Sequence, residues 1–231
     1  MELDLTSAVF WIAVGQIILI DIVLSGDNAV VIALACRNLS PEQRKAGIFW
    51  GVAGAVSLRV VLTVFAALVM NLPWLKLVGG LLLIWIAVKL MLPEDEDGHD
   101  IESSSNLWGA VKTIVIADFV MSLDNVIAVA AAAKGSMVLL ILGLAISIPL
   151  VIFGSTLMIK LMERFPIIVT LGATLIGWVG GETIVSDVAL KDLMAAYPWA
   201  HYAAAAAGAG LVLGLGRLLQ RRHGKESSTG N

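Results

Sequence analysis

The chain has 231 residues, of which 59% are hydrophobic and 14% are charged, and its formal net charge at pH 7 is −3. A mean hydropathy of +0.93 excludes an ordinary soluble domain and indicates a protein that crosses a membrane several times. Because apolar segments fill nearly the whole chain, a soluble catalytic domain has no room. We therefore predict that the protein is not an enzyme and that its partners include the lipid bilayer but no nucleic acid.

The apolar segments predict an all-α membrane protein with seven transmembrane helices. A spanning helix needs about 20 mainly apolar residues. In chain order, the seven segments are about 7–35, 43–70, 73–92, 107–133, 136–160, 165–185 and 198–219. Since the N-terminus carries Glu2 and Asp4 in place of a basic region, we expect the first span to be retained and not cleaved as a signal peptide.

Basic residues predict the orientation of these spans. With the N-terminus outside, eleven basic residues fall at inner flanks, and only Lys76, Lys134 and Lys191 fall at outer flanks. We therefore expect a multi-pass protein of the plasma (inner) membrane, with its N-terminus outside and its C-terminus in the cytoplasm.

Matched residues predict that the first six spans form two three-span repeats. The matches include Ser57 with Ser147, Pro73 with Pro166, Gly79 with Gly172, and Trp85 with Trp178. Because an odd number of spans ends on the other side of the membrane, the second copy is inserted with the opposite orientation, as in many transporters. The predicted units are a first repeat (1–92), an acidic cytoplasmic linker (93–106), an inverted second repeat (107–187), and a seventh helix with a basic tail (188–231). The Ala- and Gly-rich seventh span suits close helix packing.

The first span of each repeat contains the pattern D-x-x-x-S-x-D-N, at 21–28 and at 118–125. A carboxylate at the bilayer centre costs roughly 2.5–3.5 kcal/mol on insertion scales. Four such aspartates in matched positions therefore predict a bound cation. On each helix the first Asp, the Ser and the Asn share one stripe, whereas the second Asp lies about 120° away. A local break would bring all of them to one cavity, and Gly26 favours such a break in the first copy, where the second has Leu123.

The donors in these motifs are all oxygen atoms, which hard divalent cations such as Mg²⁺, Ca²⁺ and Mn²⁺ prefer. Na⁺ or H⁺ is also compatible with paired carboxylates. A site based on Cys or His is not expected, because the single Cys36 stands alone and the three histidines, His99, His201 and His223, fall in or near predicted loops. Alternatively, the polar residues only join helices by hydrogen bonds; for Ser25 and Ser122 taken singly this interpretation is preferred.

Two further charges fall inside predicted spans. Arg59 either neutralises the aspartates when no cation is bound or forms a buried structural ion pair. Glu182 is a candidate proton carrier or additional ligand. Asp187, at the end of the sixth span, is predicted to be an exposed loop residue.

The motif strings DIVLSGDNAVVIALA (21–35) and DFVMSLDNVIAVAAAA (118–133) resemble the TerC family of integral membrane proteins. The strings at 37–51 and 78–91 fit the same family and its YjbE-like subgroup, within a superfamily that includes the LysE amino-acid exporters. The resemblance covers roughly residues 8–220. It implies a metal-ion exporter, chiefly for Mn²⁺, with metal-binding roles for Asp21, Asp27, Asn28, Asp118, Asp124 and Asn125.

These observations lead to two hypotheses of different classes. The first is a secondary transporter that exports a divalent cation, Mn²⁺ above all, in exchange for protons, since metal and protons compete for the same oxygens. The second is a membrane metal-delivery or assembly factor without net flux. An amino-acid exporter ranks lower, because Arg59 alone offers a counter-charge for a substrate carboxylate. The metal is expected as a transported ligand and not as a permanent cofactor, and a homo-oligomer remains open.

Overall fold

A computed structural model describes residues 8–24, 26–92, 103–133 and 136–229. Within these ranges the regular structure is helical and contains no strand. The helices are α1 (Ala8–Leu24), α2 (Gly26–Cys36), α3 (Pro41–Val64), α4 (Ala66–Val69), α5 (Leu75–Met91), α6 (Ser103–Ala133), α7 (Met137–Arg164), α8 (Ile167–Val185), α9 (Lys191–Ala196) and α10 (Ala200–Thr229), with a 3₁₀ turn at Val188–Leu190.

Five helices in the described ranges are long and apolar enough to cross a membrane. They are Pro41–Val64, Leu107–Ala133, Met137–Arg164, Ile167–Val185 and Ala200–Gln220. The first predicted span corresponds to α1 and α2, which lie on either side of Ser25. Ser25, and with it the predicted break next to Gly26, lies outside the described residues. The third predicted span corresponds to α5, which has 17 residues.

The predicted linker 93–106 is described only in part. Residues 93–102 lie outside the described ranges, and α6 begins at Ser103, so the last residues assigned to the linker belong to a helix. Local capping places two other helix starts. The side chains of Ser40 and Ser136 accept hydrogen bonds from the backbone N–H groups of Gln43 and Leu139, and Pro41 occupies the first turn of α3.

The two halves contact each other in a reciprocal way. The second span of the first half, α3, packs against α6, and the second span of the other half, α7, packs against α1 and α2. At both interfaces an isoleucine fits against a glycine. A methyl group added at Gly51 would lie 2.6 Å from Ile114 Cδ1, and one added at Gly143 would lie 2.4 Å from Ile17 Cγ2. The two isoleucines occupy equivalent positions in the two copies, as the two Asp motifs do.

The third spans follow the same reciprocal rule. Gly79 of α5 lies against Val120 of α6, and Gly172 of α8 lies against Val30 of α2. The helices α5 and α8 also pack directly on each other through Gly80 and Gly180, where backbone meets backbone. On its other side, α8 contacts α10 through the small residues Gly177, Gly181, Ala204 and Gly208. The seventh predicted span thus packs closely through small residues.

The α5–α8 contact gives a first prediction. In Gly80→Ala, the added methyl group would lie 2.4 Å from the Gly180 carbonyl oxygen, so the helices must separate. We expect a loss of about 1–3 kcal/mol of stability, the usual cost of overpacking, measured as a lower unfolding temperature in detergent. Gly210→Ala is the matched control, because a methyl group there meets nothing within 4 Å. Equal unfolding temperatures for the two variants would contradict close backbone contact between α5 and α8.

Candidate functional site

The first motif aspartates of both copies meet at one arginine. Asp21 comes from α1, Asp118 from α6 and Arg59 from α3. These three residues are 2%, 5% and 4% exposed, respectively. We call these three residues, together with Asn28 and Ser122, the arginine cluster. Arg59 is thus a buried cation between the two carboxylates that the repeat places in matched positions.

The guanidinium group of Arg59 binds Asp21, Asp118 and Ser122. Its Nη1 forms an ion pair with Asp21 Oδ1, its Nη2 lies 2.5 Å from Asp118 Oδ1, and its Nε donates to Ser122 Oγ at 3.1 Å. Ser122 in turn donates to Asp118 Oδ2 at 3.2 Å. The helical stripe predicted for Asp118 and Ser122 therefore lies against Arg59. Both carboxylates have a positive partner, as a charge buried in a membrane requires.

Asn28 completes the cluster from α2. Its Nδ2 donates to Asp118 Oδ1 at 2.8 Å, whereas its buried Oδ1 has no hydrogen-bond partner in the part of the chain that the structure describes. Such an orphaned acceptor costs free energy in a buried setting. A cavity of about 20 Å³, enough for one water-sized group, is lined by Asn28 together with Asp21, Arg59 and Asp118. A buried amide oxygen that could bind a cation therefore lies next to a small cavity in the cluster.

The second motif aspartates face a different and larger space. A cavity of about 600 Å³, which we call the open cavity, is lined by Asp27, Met121, Asp124, Asn125, Val179, Glu182, Thr183, Ser186 and His201. Asp27 accepts a hydrogen bond from the Asn28 backbone N–H at 2.9 Å, so the open cavity and the arginine cluster share the start of α2. Glu182 contributes a third carboxylate from α8.

Asp124 in the open cavity forms an ion pair that the sequence did not indicate. Its Oδ1 binds the ammonium group of Lys76, while its Oδ2 accepts a longer hydrogen bond from Ser186 at 3.4 Å. Lys76 was predicted as an outer-flank residue. It is only 8% exposed, and its ammonium group binds Asp124.

The structure thus groups the predicted site residues into two sets. Asp21, Asn28, Asp118, Arg59 and Ser122 form the arginine cluster, whereas Asp27, Asp124, Asn125 and Glu182 line the open cavity. Ser25 lies outside the described residues. In the second copy the split follows the helical period of α6, which sets Asp124 about 120° from Asp118. In the described ranges, no three Asp, Glu, His or Cys groups are close enough to hold a metal ion together.

Asp187 is a correction to the sequence analysis, which predicted an exposed loop residue. It is 1% exposed, and its carboxylate accepts backbone N–H bonds from Trp74, Lys76 and Leu77 at 2.9–3.1 Å. It also caps the following turn through Ala189 N–H at 2.8 Å. The chain enters α5 through Trp74, whose φ of 70° is left-handed, and a carboxylate at this helix start satisfies its free N–H groups. Asp187 therefore ties the end of α8 to the start of α5.

These contacts make the stability contribution of Asp187 dependent on pH. Burial acts to raise the pKa of Asp187, but the hydrogen bonds from Ala189, Trp74, Leu77 and Lys76 outweigh it, so the pKa lies below its ordinary value. Because the unfolded chain binds the proton more readily, the contribution is complete above the ordinary Asp pKa of about 3.9 and is lost as pH falls through the folded pKa.

We therefore expect Asp187→Asn to lower the free energy of unfolding by about 1–3 kcal/mol near neutral pH. Unfolding measured in detergent across the pH range should show this difference shrinking towards zero in acid. Asp192→Asn, at an exposed position in α9, is the control and should change little. A difference that grows on acidification would be inconsistent with the lowered pKa.

Sequence comparisons agree with the arrangement of the helices in a membrane. Residues 6–224 match the family described as "Integral membrane protein TerC family". The chain is 43% identical over 186 residues to the "Uncharacterized membrane protein YjbE" of Bacillus subtilis (strain 168), which covers 80% of this chain and 85% of that protein. It is 28% identical over 195 residues to the "UPF0053 inner membrane protein YgdQ" of Escherichia coli (strain K12), covering 77% and 81%.

No solved structure matches the chain significantly. The family match nevertheless spans both Asp motifs, all five span-length helices and the residues around Arg59. The chain is therefore a multi-pass integral membrane protein and belongs to the TerC family.

Proposed function

We propose that the protein is a secondary transporter that exports a divalent metal cation, with Mn²⁺ as the substrate and protons as the exchanged ion. The observation that carries this proposal is the composition of the arginine cluster. Two buried carboxylates from the two halves share one guanidinium group, beside an amide oxygen that has no hydrogen-bond partner among the described residues. The export direction rests on the family resemblance and on the predicted orientation.

The charges of the cluster favour a cation as the substrate. With both aspartates ionised, Asp21 and Asp118 bring two negative charges and Arg59 brings one positive charge. A surplus negative charge in a buried site is expensive unless a cation or a proton balances it. A divalent cation and protons are therefore alternative partners for the same oxygens, which is what exchange requires.

The donor atoms favour a hard metal. Asp21, Asp118 and the Oδ1 of Asn28 offer carboxylate and amide oxygens, and similar oxygens line the open cavity on Asp27, Asp124, Asn125 and Glu182. Mg²⁺, Ca²⁺ and Mn²⁺ accept such ligands, and Mg²⁺ gives up its waters reluctantly. Since Arg59 occupies both carboxylates, the metal must displace it to bind, and we assign Arg59 the role of counter-charge between transport events.

The two ends of the bundle differ in a way that suits alternating access. At one end, the open cavity reaches Asp27 beside the arginine cluster. At the opposite end, Arg44 of α3 pairs with Glu163 of α7 at 2.6 Å. The reciprocal contacts of the two halves support an inverted repeat, and transporters of that kind rock one repeat against the other around a midplane site.

Flux in sealed liposomes is the direct test. Purified protein is reconstituted, Mn²⁺ is added outside, and entry is followed with a trapped metal-sensitive dye in the presence and absence of a pH gradient. We expect Mn²⁺ flux that exceeds that of Mg²⁺ and that responds to the gradient.

Correctly inserted protein that moves none of the divalent ions would overturn the proposal. A metal-delivery or assembly role without net flux would then take its place. An amino-acid substrate has less support, because Arg59, its expected carboxylate partner, is already held by Asp21 and Asp118.

A further inference from the structure

The ammonium group of Lys76 stands where a transported cation would be expected to bind. Lys76 is the second residue of α5, and it pairs with Asp124, the second aspartate of the second motif. Its side chain is 10% exposed, whereas that of Asp124 is 46% exposed and lines the open cavity. A mobile cation can therefore reach Asp124 from the cavity while Lys76 holds it from the other side.

The backbone of Lys76 is fixed at the same time. Its N–H donates to Asp187 Oδ2 at 2.9 Å, and the N–H groups of Trp74 and Leu77 bind the same carboxylate. Lys76 is thus held both at its backbone N–H, by Asp187, and at its ammonium group, by Asp124. Any cation that takes Asp124 must either displace a tethered ammonium group or bind close to it.

Lys76 occurs in one repeat only. The offset that matches Pro73 with Pro166 and Gly79 with Gly172 matches Lys76 with Val169. The second copy therefore has an apolar side chain where the first has a positive charge. If the lysine served only to fold the three-span repeat, we would expect it in both copies. A lysine that acts at one end of a transport pathway is needed in one copy only.

We propose that Lys76 is a built-in competitor of the transported cation at Asp124. It weakens cation binding in the open cavity and so promotes release of the cation on that side of the membrane. This inference rests on the proposed cation transport and adds to it a residue that sets the affinity at one end of the pathway. The physical cause is repulsion between like charges, which a partly buried setting screens poorly.

The test is equilibrium binding of Mn²⁺ to the purified full-length protein, read from the electron paramagnetic resonance signal of free Mn²⁺. In Lys76→Met we expect binding about tenfold tighter or more, the size that removing one nearby positive charge implies. Lys76→Arg keeps the charge and should bind as the unaltered protein does. Lys191→Met, which removes an exposed lysine of α9, is the matched control and should change nothing.

Two comparisons make the test decisive. Lys76→Gln is neutral but still donates a hydrogen bond, so it should also bind more tightly if Lys76→Met folds poorly. In the Asp124→Asn background, Lys76→Met should give no tightening, because the shared carboxylate is gone. Unchanged or weaker Mn²⁺ binding in both neutral variants would overturn the role of Lys76 while leaving the transporter proposal intact. Absence of both Mn²⁺ binding and Mn²⁺ flux in the unaltered protein would overturn both.

Discussion

Replacing Arg59 with methionine should destabilise the protein by about 3–5 kcal/mol, the usual loss when one partner of a buried ion pair is removed. In the unaltered protein Asp21 and Asp118 are 2% and 5% exposed, and the variant takes away their buried counter-charge. Mn²⁺ should then restore stability to a greater extent than in the unaltered protein, because a ligand that binds only the folded state stabilises it. The measurement is the unfolding temperature in detergent across a series of Mn²⁺ concentrations.

Two controls separate charge from shape in this experiment. Arg59→Lys retains the charge but loses the forked group that reaches Asp21, Asp118 and Ser122 together. Its unfolding temperature should therefore lie between those of Arg59→Met and the unaltered protein. The double variant Arg59→Met with Asp118→Asn removes one charge of each sign and should regain part of the lost stability. If the double variant is less stable than Arg59→Met alone, the charge balance described here is wrong.

Asp118→Asn should reduce Mn²⁺ flux in liposomes by about 100-fold or more, since even outer-sphere partners of a metal contribute 10- to 100-fold. The amide has nearly the shape of the carboxylate but brings no charge to a divalent ion. Arg59 keeps Asp21 as a partner in this variant, so the fold should survive, which the unfolding temperature checks. Loss of flux with the fold retained identifies Asp118 as a site residue.

Asp192→Asn is the matched control for this flux measurement, because Asp192 is an exposed aspartate of α9 far from both motifs in the sequence. Its flux should equal that of the unaltered protein. Full Mn²⁺ flux through Asp118→Asn would remove the arginine cluster from the transport pathway. The open cavity with Asp27 and Asp124 would then be the remaining candidate.

Much of the helical framework was predictable because a bilayer imposes length and hydropathy on every span. Within the described ranges, five of the seven predicted spans appear as helices long enough to cross a membrane. The paired motifs also drew attention to most of the carboxylates that line the arginine cluster and the open cavity, since carboxylates in apolar segments are costly and therefore informative. Arg59 was predicted as a partner of the aspartates for the same reason, and it binds two of them.

The residues that the sequence analysis missed are those whose charge lies at a span end. At such positions a charge usually reaches water, so Lys76 was counted as a flank residue and Asp187 as part of a loop. Their burial depends on a tertiary contact between α5 and α8, two helices far apart in the chain. No local pattern encodes which helix start a carboxylate will cap. Ser186, directly after α8, and His201 of α10 line the open cavity and were missed for the same reason.

The balance of charge around the two sites also limits what kind of solute can enter. The arginine cluster and the open cavity together contain five carboxylates, Asp21, Asp27, Asp118, Asp124 and Glu182. Two basic side chains, Arg59 and Lys76, pair with three of them. An anion entering the open cavity would meet this surplus of negative charge in surroundings that screen it weakly. Electrostatic repulsion therefore disfavours oxyanions in the open cavity, and on the proposed function any protection against a toxic oxyanion would act indirectly, through transported cations.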